Sequence, residues 1–287
     1  ASVSKLFTAQ AIVQLAAEGR LSLDDKLVDW APGLNYRDAA FTNITIRQLL
    51  NSTAGLSDVS NYRWGKNQQA ETSLTDYVLS QNFRLESEPG TTYSYSNLGY
   101  NLLGYVIEQC TSTPFEDHLR SAVLEPAGME QSDFRAFRIA DSLRVAPHSR
   151  RGSKGSVYQR SIYPYTREHA ASSTLNASAT ELSSWMLHFF QQLKDQTTAA
   201  TFRAMISPSF AAYPQIGLGF QLYGFAEGQA IGHFGGDKGF RSLLMMIPEY
   251  EHGVVVLANC DYQEDFRQEI VLEIMGWLLV SSSTGIP

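Results

Sequence analysis

Apolar positions near the start of the chain recur at intervals of three and four: Leu6, Ala9, Ile12, Val13, Leu15 and Ala16. This spacing predicts a helix over residues 2–19, with Gly19 as its C-terminal stop. Residues 21–34 have no period and close on Pro32-Gly33. Helical patterns return at 45–50, at 73–81 with Ser73 as the cap, at 98–110, at 114–124 and at 179–193. Residues 55–72 are polar, and Pro89-Gly90 marks a turn. Residues 146–172, with Gly, Ser, Arg and Tyr in no period, read as one long loop. Beyond about residue 210 the period shortens. Segments 218–223, 230–234, 241–247 and 253–258 are β-rich and punctuated by Gly and Pro, and 263–280 is again helical. Strands grouped together, not alternating with helices, predict an α+β fold: an antiparallel sheet flanked by helices, with a mainly helical remainder.

Composition narrows the functional classes. The 287 residues are 44% hydrophobic and 18% charged, which excludes a disordered or collagen-like chain. Lys and Arg number 22 against 29 Asp and Glu, a net charge of −7, which argues against a nucleic-acid binder. The one basic run, Arg150-Arg151-Gly152-Ser153-Lys154, reads as a solvated loop. The longest apolar run, 270–280, is interrupted by Glu273 and is about half of the ~20 residues a bilayer needs. Cys110 and Cys260 either pair or stay as two thiols, and by themselves cannot form a four-ligand zinc site. His118, His148, His169, His188 and His252 have no metal spacing and read as structural or exposed. Tyr62, Trp64, Tyr158, Tyr163 and Tyr165 either line a cleft or anchor loops.

Three short constellations carry candidate chemistry. In Ser2-Val3-Ser4-Lys5, Ser2 and Lys5 share one face of a helix start, so a lysine of lowered pKa can take the serine proton. The plainer reading is an N-cap beside a surface lysine. In Tyr95-Ser96-Asn97, a tyrosine can relay a proton and an asparagine can orient substrate and lysine; the plainer reading is a capped turn. In His233-Phe234-Gly235-Gly236, a Gly-rich strand lets substrate approach backbone amides that serve an oxyanion, against a β-turn beside an ordinary histidine. Each motif alone is expected about 0.5 times by chance, whereas all three in this order and these settings carry real weight.

The combination SxxK, YxN, HxG resembles the serine β-lactamase and penicillin-binding-protein superfamily. It is most similar to the class C β-lactamase-related group of R61-type DD-peptidases, D-aminopeptidases and family VIII carboxylesterases. "PGTTYSYSNLGYNLLGYVIE" is the most specific stretch. "LAAEGRLSLDDKL", "TIRQLLNSTAGL", "STLNASATELSSWM" and "GHFGGDKGFRSLLMMIPEYEHGVVVLAN" extend the likeness over essentially the whole chain. The resemblance implies one β-lactamase-like catalytic domain, with an α/β lobe from about 1–20 and 208–287 and a helical lobe from about 21–207. It makes Ser2 the acyl-accepting nucleophile, Lys5 its base and Tyr95 the proton relay. Asn97 orients substrate and lysine, and His233 stands opposite the nucleophile. The amides of Ser2 and Gly236 form the oxyanion hole, with Gly235, Phe234 and Arg241 beside the substrate. No metal or organic cofactor is implied.

The implied substrate is a small ester, β-lactam or D-amino-acid peptide, with no nucleic-acid partner and no membrane span. Compartment and oligomeric state stay open. The family carries a helix and two strands before the serine. With only Ala1 ahead of Ser2, the expectation is that those strands are absent, that a sheet edge is unpaired and that Ser2 sits on a fraying end. Phe234 stands where carboxylate-recognising relatives carry Thr or Ser, with Arg241 or Lys238 as substitute donors, which leans the substrate towards esters or non-standard amides. The competing reading is a non-catalytic binding or sensor protein, or an inactive fragment, on the same scaffold. An α/β-hydrolase is disfavoured, because no G-x-S-x-G occurs.

Overall fold

Helix α1, Ser4–Ala17, is buried on nearly every side from Ser4 to Val13 and forms the axis of the molecule. A helix apolar all round has to lie inside. Two of its buried polar side chains bond across to neighbours: Thr8 Oγ1 donates to the Ala171 carbonyl at 2.7 Å, and Gln10 Oε1 accepts from Trp185 Nε1 at 2.9 Å. The computed structural model describes residues 1–65, 69–225 and 228–284.

After α1 come α2 (Leu27–Trp30), β1 (Asn35–Tyr36), α3 (Ile46–Leu50), α4 (Ser73–Ser80), β2 (Asn82–Phe83), α5 (Asn97–Thr111) and α6 (Phe115–Leu119). Helix α3 opens on a capping box, with Thr45 and Gln48 each bonding the other's backbone N–H. Ser73 is the first residue of α4 and Thr72 its cap position, so the expected Ser73 cap is displaced by one. The expected helix over 114–124 changes to a π-helical turn after Leu119. The expected loop over 146–172 is not structureless. It contains an antiparallel pair, β3 (His148–Arg150) with β4 (Val157–Gln159), and leads into α7, Ala170–Ser173.

Helices α8 (Ala179–Lys194) and α9 (Ala199–Met205) follow. Helix α8, expected at 179–193, packs on β8, and α9, which the sequence did not reveal, packs on α1 and α8. Strands β5 (Gln221–Phe225), β6 (Gly228–Asp237), β7 (Phe240–Ile247) and β8 (His252–Ala258) form an antiparallel sheet in that order, with β5 and β8 at its edges. Strand alternation gives the sheet two apolar faces. Ile231, Leu244 and Met246 join the main core around α1, while Ala230, Leu243, Met245 and Ile247 meet Val271 and Met275 of α10, Arg267–Thr284. Both cysteines are free thiols. Among the described residues no helix is long and apolar enough to cross a membrane, and no His, Cys, Asp and Glu cluster is arranged to hold a metal.

Candidate active site

Lys5 is 1% exposed, and its ammonium has three partners for three protons. Nζ donates to Ser2 Oγ at 3.1 Å, to Asn97 Oδ1 at 2.6 Å and to the Ser172 carbonyl at 2.8 Å. Tyr95 OH donates to the same Ser2 Oγ at 2.8 Å. The Lys5 charge also lies 5.0 Å from the centroid of the Tyr95 ring and 5.4 Å from that of Tyr100. Lys5 and Tyr95 thus meet on the Ser2 hydroxyl, and Asn97 and Ser172 reach it through the lysine.

Local structure explains each placement. Ser2 is not the cap of α1; the cap position is Val3, without a side-chain bond. Ser2 instead occupies the turn before it, whose carbonyl accepts from the Lys5 amide at 3.0 Å. The expected fraying is opposed by Ser4, whose Oγ donates to the Ala1 carbonyl at 2.7 Å and accepts from Leu175 N at 3.0 Å. Helix α5 starts at Asn97 because Ser96 Oγ caps it, accepting from Gly99 N at 3.1 Å. Gly104 lets α5 approach α7, since a Cβ there would stand 2.6 Å from Ala171 Cβ. That approach carries Asn97 and Ser172 to the same lysine.

Burial sets the electrostatics. Desolvation lowers the Lys5 pKa to about 7, although Asp58 and Asp237 pull it upward. Desolvation likewise raises the Tyr95 pKa well above the ordinary phenol range, so Tyr95 is a donor. His233 is pushed down to about 3 by burial and by the Lys5 charge. Its Nδ1 faces the Phe234 carbonyl, which only accepts; Nδ1 therefore carries the proton and Nε2 keeps a lone pair. Its ring lies 6.0 Å from that of Tyr95.

The other residues of the third motif divide between the two faces of β6. Gly235 lies against the nucleophile's turn: a Cβ there would be 3.2 Å from Ser2 N and 2.1 Å from Ser242 Oγ. The pairing of β5 with β6 stops at Gly232, so the edge beyond it is uncovered by β5. Phe234 N points to that side, reaching Gln221 Oε1 at 3.4 Å, and alternation turns Gly236 N the same way. Phe234 itself corrects the sequence reading. Its side chain alternates away from His233 and packs with Tyr223 in the core under α10, and does not face the nucleophile. Arg267 sits 5.5 Å from its ring and clamps this region, with Nη1 donating to the carbonyls of Gly235 and Ser242. The Arg241 guanidinium is spent on backbone carbonyls, those of Asp237 at 3.2 Å and Phe240 at 3.1 Å.

A cavity of about 430 Å³ adjoins the cluster, lined by Ala1, Ser4, Tyr163, Asp237 and Arg241 among others. Neither Ser2 nor Lys5 is in its wall, so the hydrogen-bond geometry, not this cavity, locates the chemistry. Tyr163 and Tyr165 line it, whereas Tyr62 and Trp64 stack on each other and meet buried His169 tilted and edge-on respectively. Three contributors escaped the sequence. Asp58 accepts from Asn97 N at 2.7 Å and from Asn97 Nδ2 at 2.9 Å. Ser172 acts through a backbone carbonyl, and Arg267 lies in a helix that read as ordinary.

A family model described as Beta-lactamase matches residues 1–274. Penicillin-binding protein 4* of Bacillus subtilis is 26% identical over 290 residues, covering 94% of this chain and 62% of that protein. Protein flp of Staphylococcus aureus is 27% identical over 270 residues, covering 90% of this chain and 52% of that protein. The chain therefore spans only half to three-fifths of the length of these two relatives. Two solved structures share the fold. A D-stereospecific amidohydrolase from Streptomyces sp. has a TM-score of 0.76 at 23% identity, over 94% of this chain and 84% of its own. The D-amino acid amidase from Ochrobactrum anthropi SV3 has a TM-score of 0.75 at 22% identity, over 99% and 84%.

Proposed function

The chain belongs to the Beta-lactamase family, and from that premise we propose that it is a serine hydrolase working through an acyl-enzyme on Ser2. The observation that carries this reading is the double hydrogen bond to Ser2 Oγ, from Lys5 Nζ and from Tyr95 OH. Asn97 Oδ1 and the Ser172 carbonyl only accept, so they hold the two N–H groups of a neutral Lys5. The amine lone pair is then left for the Ser2 proton. A pKa near 7 keeps a large share of Lys5 in that form at neutral pH.

Acylation balances within the site. Ser2 Oγ attacks the carbonyl carbon as its proton passes to Lys5 Nζ. The oxyanion lies towards the amides of Ser2 and Gly236. The scissile bond breaks as Tyr95 gives its phenolic proton to the leaving nitrogen or oxygen. The resulting phenolate is paired with the Lys5 ammonium. It then takes a proton from water, the hydroxide attacks the acyl carbon, and Ser2 Oγ leaves with the Lys5 proton.

For substrate we propose an amide or ester of a D-amino acid. The amidase and amidohydrolase named above support this class. Intact mass after fluorophosphonate treatment, followed by peptide mapping, tests the nucleophile: a single adduct on Ser2, absent from S2A, is expected. Ammonia release from D-phenylalaninamide, against penicillin hydrolysis, tests the substrate class. A folded protein that takes no adduct would refute the acyl-enzyme reading and leave a binding role.

A further inference from the structure

We propose that Asp58 is a positioning residue for acylation: its carboxylate holds the Asn97 amide with Oδ1 towards Lys5, and so aims the lysine lone pair at Ser2. This inference rests on the acyl-enzyme reading above. Asp58 Oδ1 accepts from the backbone N–H groups of Asn97 and Val59, each at 2.7 Å, which fixes the carboxylate at the start of α5. Its Oδ2 accepts from Asn97 Nδ2 at 2.9 Å. A carboxylate only accepts and an ammonium only donates, so Asn97 between them has one allowed orientation. Nδ2 must face Asp58 and Oδ1 must face Lys5, where it lies 2.6 Å from Nζ. Turned over, the amide would present N–H groups to the lysine and leave its lone pair two places to go.

The other groups around Lys5 cannot do this work. Asp237 and the Ala1 amino group bear on its charge but no hydrogen bond joins either to Asn97. His233 and His169 are held neutral by burial, and Tyr95 and Tyr100 are phenols. Among the described residues, Asp58 is the one carboxylate hydrogen-bonded to the Asn97 amide. Its charge also favours the lysine ammonium, so its removal lowers the Lys5 pKa.

The test compares parent, D58N, N97A and D58N/N97A for the rate of Ser2 labelling by a fluorophosphonate between pH 5 and 9. D58N should lower the plateau rate roughly 10- to 100-fold, the scale of a misoriented catalytic group. It should also move the acid limb to lower pH. In the N97A background the same change should cost no further plateau rate, because the amide it positions is gone. A 13C titration of the Lys5 signal, among six lysines and assigned by its loss in K5R, should show the lowered pKa whether or not the protein turns over. Unchanged labelling and an unmoved Lys5 titration in D58N would overturn the proposal while leaving the nucleophile in place. No labelling of the parent would overturn the acyl-enzyme reading itself, and the titration would still report on the Asp58–Lys5 coupling.

Discussion

Replacing Arg167 by methionine should destabilise the protein more than any substitution at its surface. The Arg167 side chain is 1% exposed, and its Nε lies 2.7 Å from Glu116 Oε1, a carboxylate with no exposure. Nη2 reaches Glu108 at 3.0 Å, and Nη1 donates to the carbonyls of Ala70 and Glu71. R167M leaves Glu116 facing only Arg135, 3.6 Å away, and strips two carbonyls of a donor. Breaking a buried pair from one side costs about 3–5 kcal/mol, because the remaining charge is desolvated and uncompensated. For a domain of this size that is a fall in Tm of roughly 6–20 °C. Thermal unfolding followed by circular dichroism measures it. The companion R167M/E116Q should recover part of the loss, since the second change removes the stranded charge. The site should feel it too: Arg167 anchors the turn before α7, which supplies the Ser172 carbonyl to Lys5. A cost below about 1 kcal/mol, or a double variant worse than the sum of its parts, would refute the claim that this cluster is held by mutual compensation.

Three further outcomes follow from the geometry. Y95F should retain the fold and lower turnover of a D-amino-acid amide by about 10²-fold or more, as loss of a general acid–base group does; steady-state kinetics decides it. The labelling rate of Ser2 should rise with pH through about 7, because Lys5 is the base only once it has lost its proton. That limb should survive in H233N, since His233 stays neutral across the range; its disappearance would assign the limb to the histidine instead. G235A should lose about 1–3 kcal/mol of stability through overpacking, as its Cβ would meet Ser242 Oγ at 2.1 Å, and G235A/S242A should regain part of both stability and labelling.

Period and punctuation in the sequence captured the elements whose own residues specify them. Helix α1, the capped α3 and α5, α8 and the four strands of the sheet lie within a few residues of where their patterns place them. The expected 146–172 loop failed because β3 and β4 carry no apolar alternation: β4 is exposed throughout, and the one buried residue of β3 is Ser149. Helix α9 escaped notice because only Phe202 and Met205 of its seven residues are buried, too few for a period. The same limit applies to the site. Ser2, Lys5, Tyr95 and Asn97 are side chains in short motifs, and the structure brings Lys5 and Tyr95 onto the Ser2 hydroxyl and Asn97 onto Lys5. Asp58 lies in a stretch legible only as polar loop, and its bond to Asn97 spans 39 positions. Ser172 contributes a carbonyl, which any residue type has. Phe234 was misplaced because a motif read as a string hides strand alternation, which sends neighbouring side chains to opposite faces.

Arg267 gives α10 a mechanical meaning. It is the first residue of that helix, and it holds the two strands that frame the nucleophile by their carbonyls at Gly235 and Ser242. Tension applied at the far end of α10, by a surface tether or a fused cargo, therefore runs down the helix and reaches the sheet through the packing of Val271 and Met275 and, beside Gly236, through the Arg267 guanidinium. Anchoring through the exposed Leu187 face of α8 loads a different element, whose path to Ser2 passes through the packed core around α1. For immobilised protein the two attachments should part company: pulling on α10 should dim the labelling of Ser2 long before the molecule unfolds.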